Sequence, residues 1–424
     1  MKVLIVTYYW PPSGGGGVQR WVKFAKNLQD FGWEPIIYTP ENPNVPVYDE
    51  SLLLEIPKDI IILKQPIREP YKLAKFFSGG NTSNRIGASG EADRKPSFLK
   101  RMALWVRGNM FVPDARILWV KPSAKFLENW LELNPVDVII TTGPPHSMHL
   151  IGLALKRKYG HLSWVADFRD PWSDMDYLSE FHLGPKALKK IEKMEAEVVE
   201  SADKILLTSK RAGIKLLGEV NHPKSVCIPN GWEPEDFPKT ISHKDASLKK
   251  FITLGHFGSL QGSRNCPGLW EAIANYNVKN EVHIYLRFAG NVSDEIKRAV
   301  AKAGVVNCEY LENLPHKTSI SEMLRCDALL LIHNDTDSAI KSTPGKIFEY
   351  LGTSLPIISI CRNESDLTDL LAENNLPSAT HNDVKEAELM LNSITHKICI
   401  DASSYTRKKM TEKLVVVLNE LQKT

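Results

Sequence analysis

The 424-residue sequence contains no stretch approaching the roughly 20 consecutive apolar residues of a membrane-spanning helix, which argues against an integral membrane protein. Cysteine is scarce. The six, Cys227, Cys266, Cys308, Cys326, Cys361 and Cys399, all fall in the second half, and none forms a Cys-x-x-Cys pair. Such spacing speaks against a disulfide framework or a thiolate zinc site. Four lie in or beside apolar runs and read as buried, reduced thiols, as expected of a reducing compartment. An excess of one charge is also lacking: 53 basic residues face 50 acidic ones, for a net +3. A nucleic-acid partner is not expected without a strongly basic face. The opening MKVLIVTYYW has no cleavage site and runs directly into Pro11, Pro12 and four glycines, unlike a secretory signal. We therefore expect a cytoplasmic protein.

What is present suits two α/β cores. Hydrophobic residues make up 43% of a chain long enough for about two or three domains. Short β-branched runs alternate with amphipathic segments, the pattern of parallel sheets. Strands are expected at Lys2–Thr7, Pro35–Tyr38, Ile60–Leu63, Val136–Thr141, Trp164–Phe168 and Lys204–Thr208. Helices are expected at Val18–Phe31, stopped by Gly32, and at Ser147–Tyr159, with Ser147 as N-cap. A polar segment, Glu233–Lys250, reads as a connection, after which the alternation restarts at Ile252–Phe257, His283–Ala289, Ala328–His333 and Pro356–Cys361. A last helix near Ser403–Gln422 shows a stripe of Met410, Leu414, Val417 and Leu421.

Two regions stand apart. Ser78–Ser97 is rich in Gly, Ser, Asn and charge and reads as a loop. Phe98–Trp130 is dense in basic and apolar residues, among them Lys100, Arg101, Trp105, Arg107, Phe111, Arg116, Trp119 and Lys121. It reads either as a helix pair covering the first sheet or as a face for an anionic membrane surface.

Three segments of the first half carry polar chemistry at strand ends. Pro11–Gly17 joins a strand to a helix, and its glycines either let backbone N–H groups approach an anion or form a flexible turn. It is not the Gly-x-Gly-x-x-Gly dinucleotide fingerprint. In Thr141–Ser147, His146 suits proton acceptance or a hydrogen bond to a hydroxyl, or alternatively helix capping. Asp167, Arg169 and Asp170 crowd the end of a strand, where burial demands partners; they form either a structural ion-pair network or a ligand site. The Asp-x-Asp pairs Asp174/Asp176 and Asp335/Asp337 match the metal-binding pair of another transferase fold, but such pairs arise often by chance. No metal is expected.

The run VTYYWPPSGGGGVQRWVKFAKNL, followed by GWEPIIYTP, resembles the opening of family-4 glycosyltransferases, the retaining enzymes of the GT-B fold. TTGPPHS and ADFRDPW resemble corresponding segments, the latter in a bacterial surface-glycan branch. In the second half, TLGHFGSLQGSRN, RFAGN and DSAIKSTPGKIFEYLGTSLPIISI follow in the family's order, the last resembling its donor signature. The resemblance implies an α/β, GT-B fold of two facing Rossmann-like lobes with a cleft between them. The lobes would be 1–230, binding acceptor, and 231–402, binding the nucleotide sugar, with a helix at 403–424 packing back toward the first lobe. It also implies transfer of a sugar from a nucleotide diphosphate donor to a glycan or lipid-linked glycan, with retention of configuration, in surface polysaccharide synthesis. The nucleotide sugar is a co-substrate, and no cofactor is expected.

By the same resemblance, His146, Asp170, Arg264 and Lys346 are the catalytic candidates, supported on the acceptor side by Asp167 and Arg169. Gly15, Gly16, Ser342, Thr343, Gly345, Glu349, Asn291 and Leu314 are the donor-binding candidates. Lys346 would answer the departing diphosphate, while Glu349 would accept both ribose hydroxyls. The chain departs from the family pattern at Lys341, where a second glutamate is common, and lacks a lysine soon after Arg264. Two other readings follow: a nucleotide-sugar epimerase sharing the fold, and a non-catalytic nucleotide-sugar-binding partner of a transferase.

Overall fold

The computed structural model describes residues 1–45, 47–67, 69, 98–169, 172–174, 178, 181–238, 250–394 and 401–423. The expected loop at 78–97, Asp170, Asp176, Cys399 and most of the expected connection, 239–249, lie outside the described residues. The chain divides into two compact units, Met1–Asn230 with Arg407–Thr424, and Gly231–Thr406.

The first unit runs β1 (Lys2–Val6), α1 (Gly16–Leu28), β2 (Glu34–Pro40), β3 (Ile61–Gln65), α2 (Phe98–Met110), α3 (Ile117–Leu133), β4 (Val138–Gly143), α4 (Ser147–Lys158), β5 (Ser163–Phe168), α5 (Pro185–Ser201), β6 (Lys204–Leu207), α6 (Ala212–Leu217) and β7 (Ser225–Cys227). Its strands pair in parallel in the order β3-β2-β1-β4-β5-β6-β7, so the winding direction reverses between β1 and β4. Both faces of the sheet are covered, which is why its strands are apolar at nearly every position. Leu4, Val6, Ile36, Ile139 and Ala166 pack on one side with Trp119, Ile151 and Trp164. Val3, Ile5, Ile37, Val138, Ile140 and Val165 pack on the other with Trp21, Phe24 and Leu28 of α1. A 3₁₀ turn, Gln29–Phe31, extends α1 and ends on Gly32 at φ 77°, a left-handed position suited to glycine.

The second unit runs β8 (Phe251–Phe257), α7 (Pro267–Lys279), β9 (His283–Ala289), α8 (Asp294–Lys302), β10 (Cys308–Leu311), α9 (His316–Met323), β11 (Ala328–Ile332), α10 (Lys346–Thr353), β12 (Ile357–Ile360), α11 (Asp366–Glu373), β13 (Ser378–Ala379) and α12 (Val384–Asn392). Its strands are again parallel, in the order β10-β9-β8-β11-β12-β13, with the reversal between β8 and β11. Ala328, Leu330 and Ile332 face a core shared with Trp270 and Ile273 of α7. Leu329 and Leu331 face the opposite core, with Ile347, Phe348 and Leu351 of α10.

The chain then returns to the first unit as α13 (Arg407–Leu421). Met410, Leu414 and Leu418 join the core beside α1, and Trp33 Nε1 donates to Asn419 Oδ1 at 3.1 Å. The expected single helix near Ser403–Gln422 is a 3₁₀ turn, Ala402–Tyr405, followed by α13. The five described cysteines are free; Cys266, Cys326 and Cys361 are buried.

Candidate functional site

In open α/β sheets, ligands gather at the carboxyl ends of the strands where the winding reverses. In the first unit that point lies between the segments after β1 and β4. Gly15 adopts φ 111°, a conformation L side chains rarely take, and α1 begins at Gly16. Gly17 matters for contact: a Cβ there would lie 1.6 Å from Arg169 Nη1, so the guanidinium rests directly on the glycine backbone. Arg169 Nε in turn donates to the Gly143 carbonyl at 2.8 Å.

Asp167, at the end of β5, is fully buried and accepts from Trp21 Nε1 and Thr142 Oγ1, both at 2.8 Å. Its ion-pair partner is Arg20 at 3.5 Å, which also donates to the Pro229 carbonyl at 2.9 Å. The carboxylate is thus anchored from α1 and β4 and fastens α1 to the sheet.

His146, after β4, is 3% exposed, and neither ring nitrogen has a hydrogen-bond partner among the described residues. Burial, and secondarily the Arg169 guanidinium, lower its pKa to about 3, so it is neutral at physiological pH. Its ring stacks on Trp172 with centroids 5.2 Å apart. His149, one turn along α4, stacks on Phe168 at 4.6 Å and on Trp172 at 5.7 Å. Thr141 Oγ1 lies 2.8 Å from His149 Nδ1 and accepts from Trp164 Nε1 at 3.0 Å. A Cβ on Gly143 would meet His149 Nε2 at 2.8 Å and His146 Nδ1 at 3.0 Å. The absence of a side chain at Gly143 therefore leaves room for both imidazoles.

The expected capping role of Ser147 is filled from elsewhere. Ser147 is the first residue of α4, and its amide and hydroxyl donate to Asp114 Oδ2 and Oδ1 at 2.8 and 2.6 Å. Asp114, 33 residues earlier, is the group that closes the helix N-terminus, favourably placed for the helix dipole.

In the second unit the reversal point lies between β8 and β11, and two glycines let backbone meet backbone there. Gly258 and Gly290 have φ 138° and 131°, and a Cβ on Gly290 would lie 2.5 Å from the Gly258 carbonyl oxygen. Lys346, the first residue of α10, runs past Gly258, with Cε 3.8 Å from where a Gly258 Cβ would be. Pro344 and Gly345 accept the opening hydrogen bonds of the helix, from Ile347 at 3.1 Å and Phe348 at 3.2 Å. Tyr350 fixes α10 to the sheet: its hydroxyl accepts from the Phe257 amide at 3.0 Å. Arg264 is held by Ser259 O at 2.7 Å and Asn334 Oδ1 at 2.6 Å. Two cations, a helix N-terminus and a glycine loop are thus gathered at one sheet end, an arrangement suited to a phosphate-bearing anion.

Histidines surround this end. His256 Nδ1 lies 3.0 Å from the Leu330 carbonyl and His333 Nε2 lies 3.2 Å from Ser342 Oγ. Burial lowers both pKa values to about 4. Glu349 is ion-paired through Oε2 with Lys346 at 3.4 Å and through Oε1 with His316 Nε2 at 3.1 Å.

The remaining candidates take these places. Ser342, Thr343 and Gly345 form the half-buried approach to α10. Asn291 accepts the Leu260 amide through its carbonyl at 2.9 Å, and Leu314 packs on the core beneath α10. Asp335 and Asp337 both engage Arg362, at 3.8 and 2.7 Å. In the 98–130 region, Trp119 is buried on the inner face of amphipathic α3, and Arg116, just before that helix, is buried in an ion pair with Glu69 at 3.1 Å. Arg101, Met102, Trp105, Leu118 and Lys121 remain exposed. Sequence reading missed Arg20, Asp114, His149, Trp172 and His316. Of these, only His149 carried a sequence signal, one helical turn beyond His146.

No protein-family model and no curated protein sequence matches the chain. Its fold is nevertheless that of the GT-B class, two Rossmann-like parallel-sheet domains, shared with glycosyltransferases of known structure. The lipopolysaccharide outer core galactosyltransferase WaaB, in its apo form, is 12% identical, with 99% of each chain covered and a TM-score of 0.58. A glycosyltransferase from Rickettsia africae ESF-5 is 12% identical over 100% of this chain and 99% of its own, at 0.57. A Listeria monocytogenes protein assigned as a UDP-N-acetylglucosamine 2-epimerase is likewise 12% identical, over 100% and 97%, at 0.57.

Proposed function

We propose that the chain is a retaining, family-4-type glycosyltransferase that moves a sugar from a nucleotide diphosphate donor to a glycan or lipid-linked glycan in surface polysaccharide synthesis. The observation that carries this reading is the convergence of Lys346, Arg264, the α10 N-terminus and Glu349 around the Gly258 loop. There the α10 amides, Ser342, Thr343 and Gly345 bind diphosphate. Lys346 and Arg264 stabilise the charge that develops as the diphosphate leaves. Glu349 accepts the ribose hydroxyls, with Asn291 and Leu314 toward the base. No metal is required, because the cations and helix terminus already neutralise phosphate.

The first unit receives the acceptor. Neutral His146 supplies a hydrogen-bonding nitrogen, Asp170 orients the acceptor hydroxyl, and Asp167 and Arg169 hold the strand end beneath them. Gly15 and Gly16 leave backbone N–H groups accessible to the donor phosphates. The exposed Arg101, Trp105 and Lys121 suit peripheral contact with the inner, anionic face of a membrane, and the protein acts in the cytoplasm.

The test is a thermal-shift screen against UDP, GDP, ADP and CMP without metal, followed by turnover. A ligand at 100 times its dissociation constant adds about 2.7 kcal/mol of stability. Lys346→Ala and Glu349→Ala are expected to abolish the shift and cut turnover at least roughly tenfold, the weight of a charge-assisted hydrogen bond. Unchanged binding and turnover in both variants would sink the assignment.

A second reading, a nucleotide-sugar epimerase, is favoured by the similarity to the Listeria protein. Conversion of the nucleotide sugar with no acceptor present would select it. Donor affinity with neither transfer nor hydrolysis would instead select a non-catalytic partner, the reading that Lys341 motivates.

A further inference from the structure

Four ionisable side chains of alternating sign form a row in the second unit. Asp236 Oδ2 lies 3.9 Å from His316 Nδ1; His316 Nε2 lies 3.1 Å from Glu349 Oε1; Glu349 Oε2 lies 3.4 Å from Lys346 Nζ. The two carboxylates are nearly buried, with side chains 13% and 15% exposed, whereas Lys346 is 33% exposed and is the only member on a long flexible stem. The row comes from three places: the 3₁₀ turn Pro234–Asp236, the first residue of α9, and the first turn of α10.

Before any nucleotide arrives, Glu349 Oε1 is thus in a hydrogen bond with His316 and Oε2 in an ion pair with Lys346. A diphosphate at the α10 N-terminus attracts the Lys346 ammonium, which frees Oε2. His316 has no such freedom, since its short side chain is braced on Asp236. Each carboxylate oxygen has two lone-pair sites, so Oε1 can keep His316 and still accept a ribose hydroxyl. We propose that His316, braced by Asp236, is a positioning residue for the nucleotide: it holds the Glu349 carboxylate toward the ribose hydroxyls once Lys346 has moved to the diphosphate. This rests on the donor reading above. It adds that ribose recognition depends on a histidine outside the α10 segment.

The charge state follows from the same neighbours. The hydrogen bond to Glu349 raises the His316 pKa above the ordinary histidine value, against the opposing effect of burial; the Glu349 and Asp236 charges act in the same upward sense, and Lys346 opposes them. These three, Glu349 and Lys346 from α10 and Asp236 from the 3₁₀ turn, are the charged groups acting on the ring among the described residues. Protonated His316 donates from Nε2 to Glu349 and presents its charged Nδ1 side to Asp236 at 3.9 Å. Once deprotonated, it keeps one N–H and turns a lone pair toward the other carboxylate.

The experiment compares UDP with inorganic pyrophosphate, which lacks the ribose, by calorimetry on the full chain, wild type and His316→Ala, His316→Gln and Asp236→Asn. If His316 positions Glu349, His316→Ala weakens UDP binding roughly tenfold or more, the scale of a charge-assisted hydrogen bond, and leaves pyrophosphate binding unchanged. His316→Gln, which retains an N–H donor, restores part of the loss, and Asp236→Asn gives a smaller loss of the same kind. In the wild type, the ratio of UDP to pyrophosphate affinity falls as pH rises through the His316 pKa; in His316→Gln it is flat. Equal UDP affinity in His316→Ala and wild type, with Glu349→Ala still impaired, overturns the inference and leaves the donor reading standing. Equal losses for UDP and pyrophosphate mean a merely structural histidine and also overturn it. Binding of neither ligand to the wild type removes the donor reading and this inference together.

Discussion

Gly290 shows most directly how single residues set the second unit's site. Its φ of 131° excludes ordinary side chains, and a Cβ would collide with the Gly258 carbonyl at 2.5 Å, an atom that cannot swing aside. Gly290→Ala is therefore expected to cost about 2–4 kcal/mol, through left-handed strain plus a backbone clash, and to perturb the Lys346 approach at Gly258. Urea denaturation measures the first effect; a loss below about 0.5 kcal/mol would contradict the geometry. At this scale the sequence was legible wherever partners are neighbours. Lys346 and Glu349 sit one helical turn apart, and their ion pair is of the i,i+3 kind. It was not legible for Asp167, whose partners Arg20 and Trp21 lie 147 and 146 residues away. The nearby Arg169 was the evident cation in sequence, but the buried carboxylate is paired with Arg20, which α1 delivers on the same face of the sheet.

Among the elements, α13 depends most on tertiary context. Its apolar stripe was visible in sequence, but the stripe says only that a face needs covering. That face packs on α1, closing the core formed by Val3, Ile5, Trp21 and Phe24. Leu414→Ala, a fully buried position, is expected to destabilise the first unit by about 2–5 kcal/mol, read from its urea midpoint. A change confined to the second unit would show that the contact has been misjudged. The start of α4 makes the same point about caps. Ser147 has the right residue type and the right place in sequence, yet the chain supplies Asp114 from before α3, and a carboxylate bound to both the amide and the hydroxyl displaces a local cap. The amphipathicity of α3 turned Trp119 into core, the Glu69 ion pair buried Arg116 just before the helix, and the exposed basic-apolar face is narrower than composition suggested.

Across the whole molecule, buried neutral histidines link both units to pH. His146, His256 and His333 have pKa values lowered to about 3, 4 and 4, mainly by burial. The unfolded chain therefore takes up protons first. Their contribution to stability is fully present above the unfolded value of about 6.5 and is lost as pH falls toward 4. His316 acts in the opposite sense: its raised pKa adds stability below about 6.5 that disappears as pH rises through the folded value. Burial also lowers the His149 pKa, so with four depressed histidines against one raised among the described residues, the urea midpoint is expected to fall from pH 7 to pH 5. A midpoint that is flat or rises over that range would contradict the burial of these rings.

The sequence by itself determined the alternation of strands and helices, its restart in the second half, and the parallel character of both sheets. These properties depend on local periodicity and on strands apolar on both faces, which one chain segment can encode. It also placed polar residues and glycines at strand ends, because each lies within a few residues of a strand it terminates. Only the tertiary structure decided which charges meet: Arg20 with Asp167, Asp114 with the start of α4, and His316 with Asp236 and Glu349. Burial makes an unpartnered charge costly, so the fold selects partners by distance in space, to which spacing along the chain gives no guide.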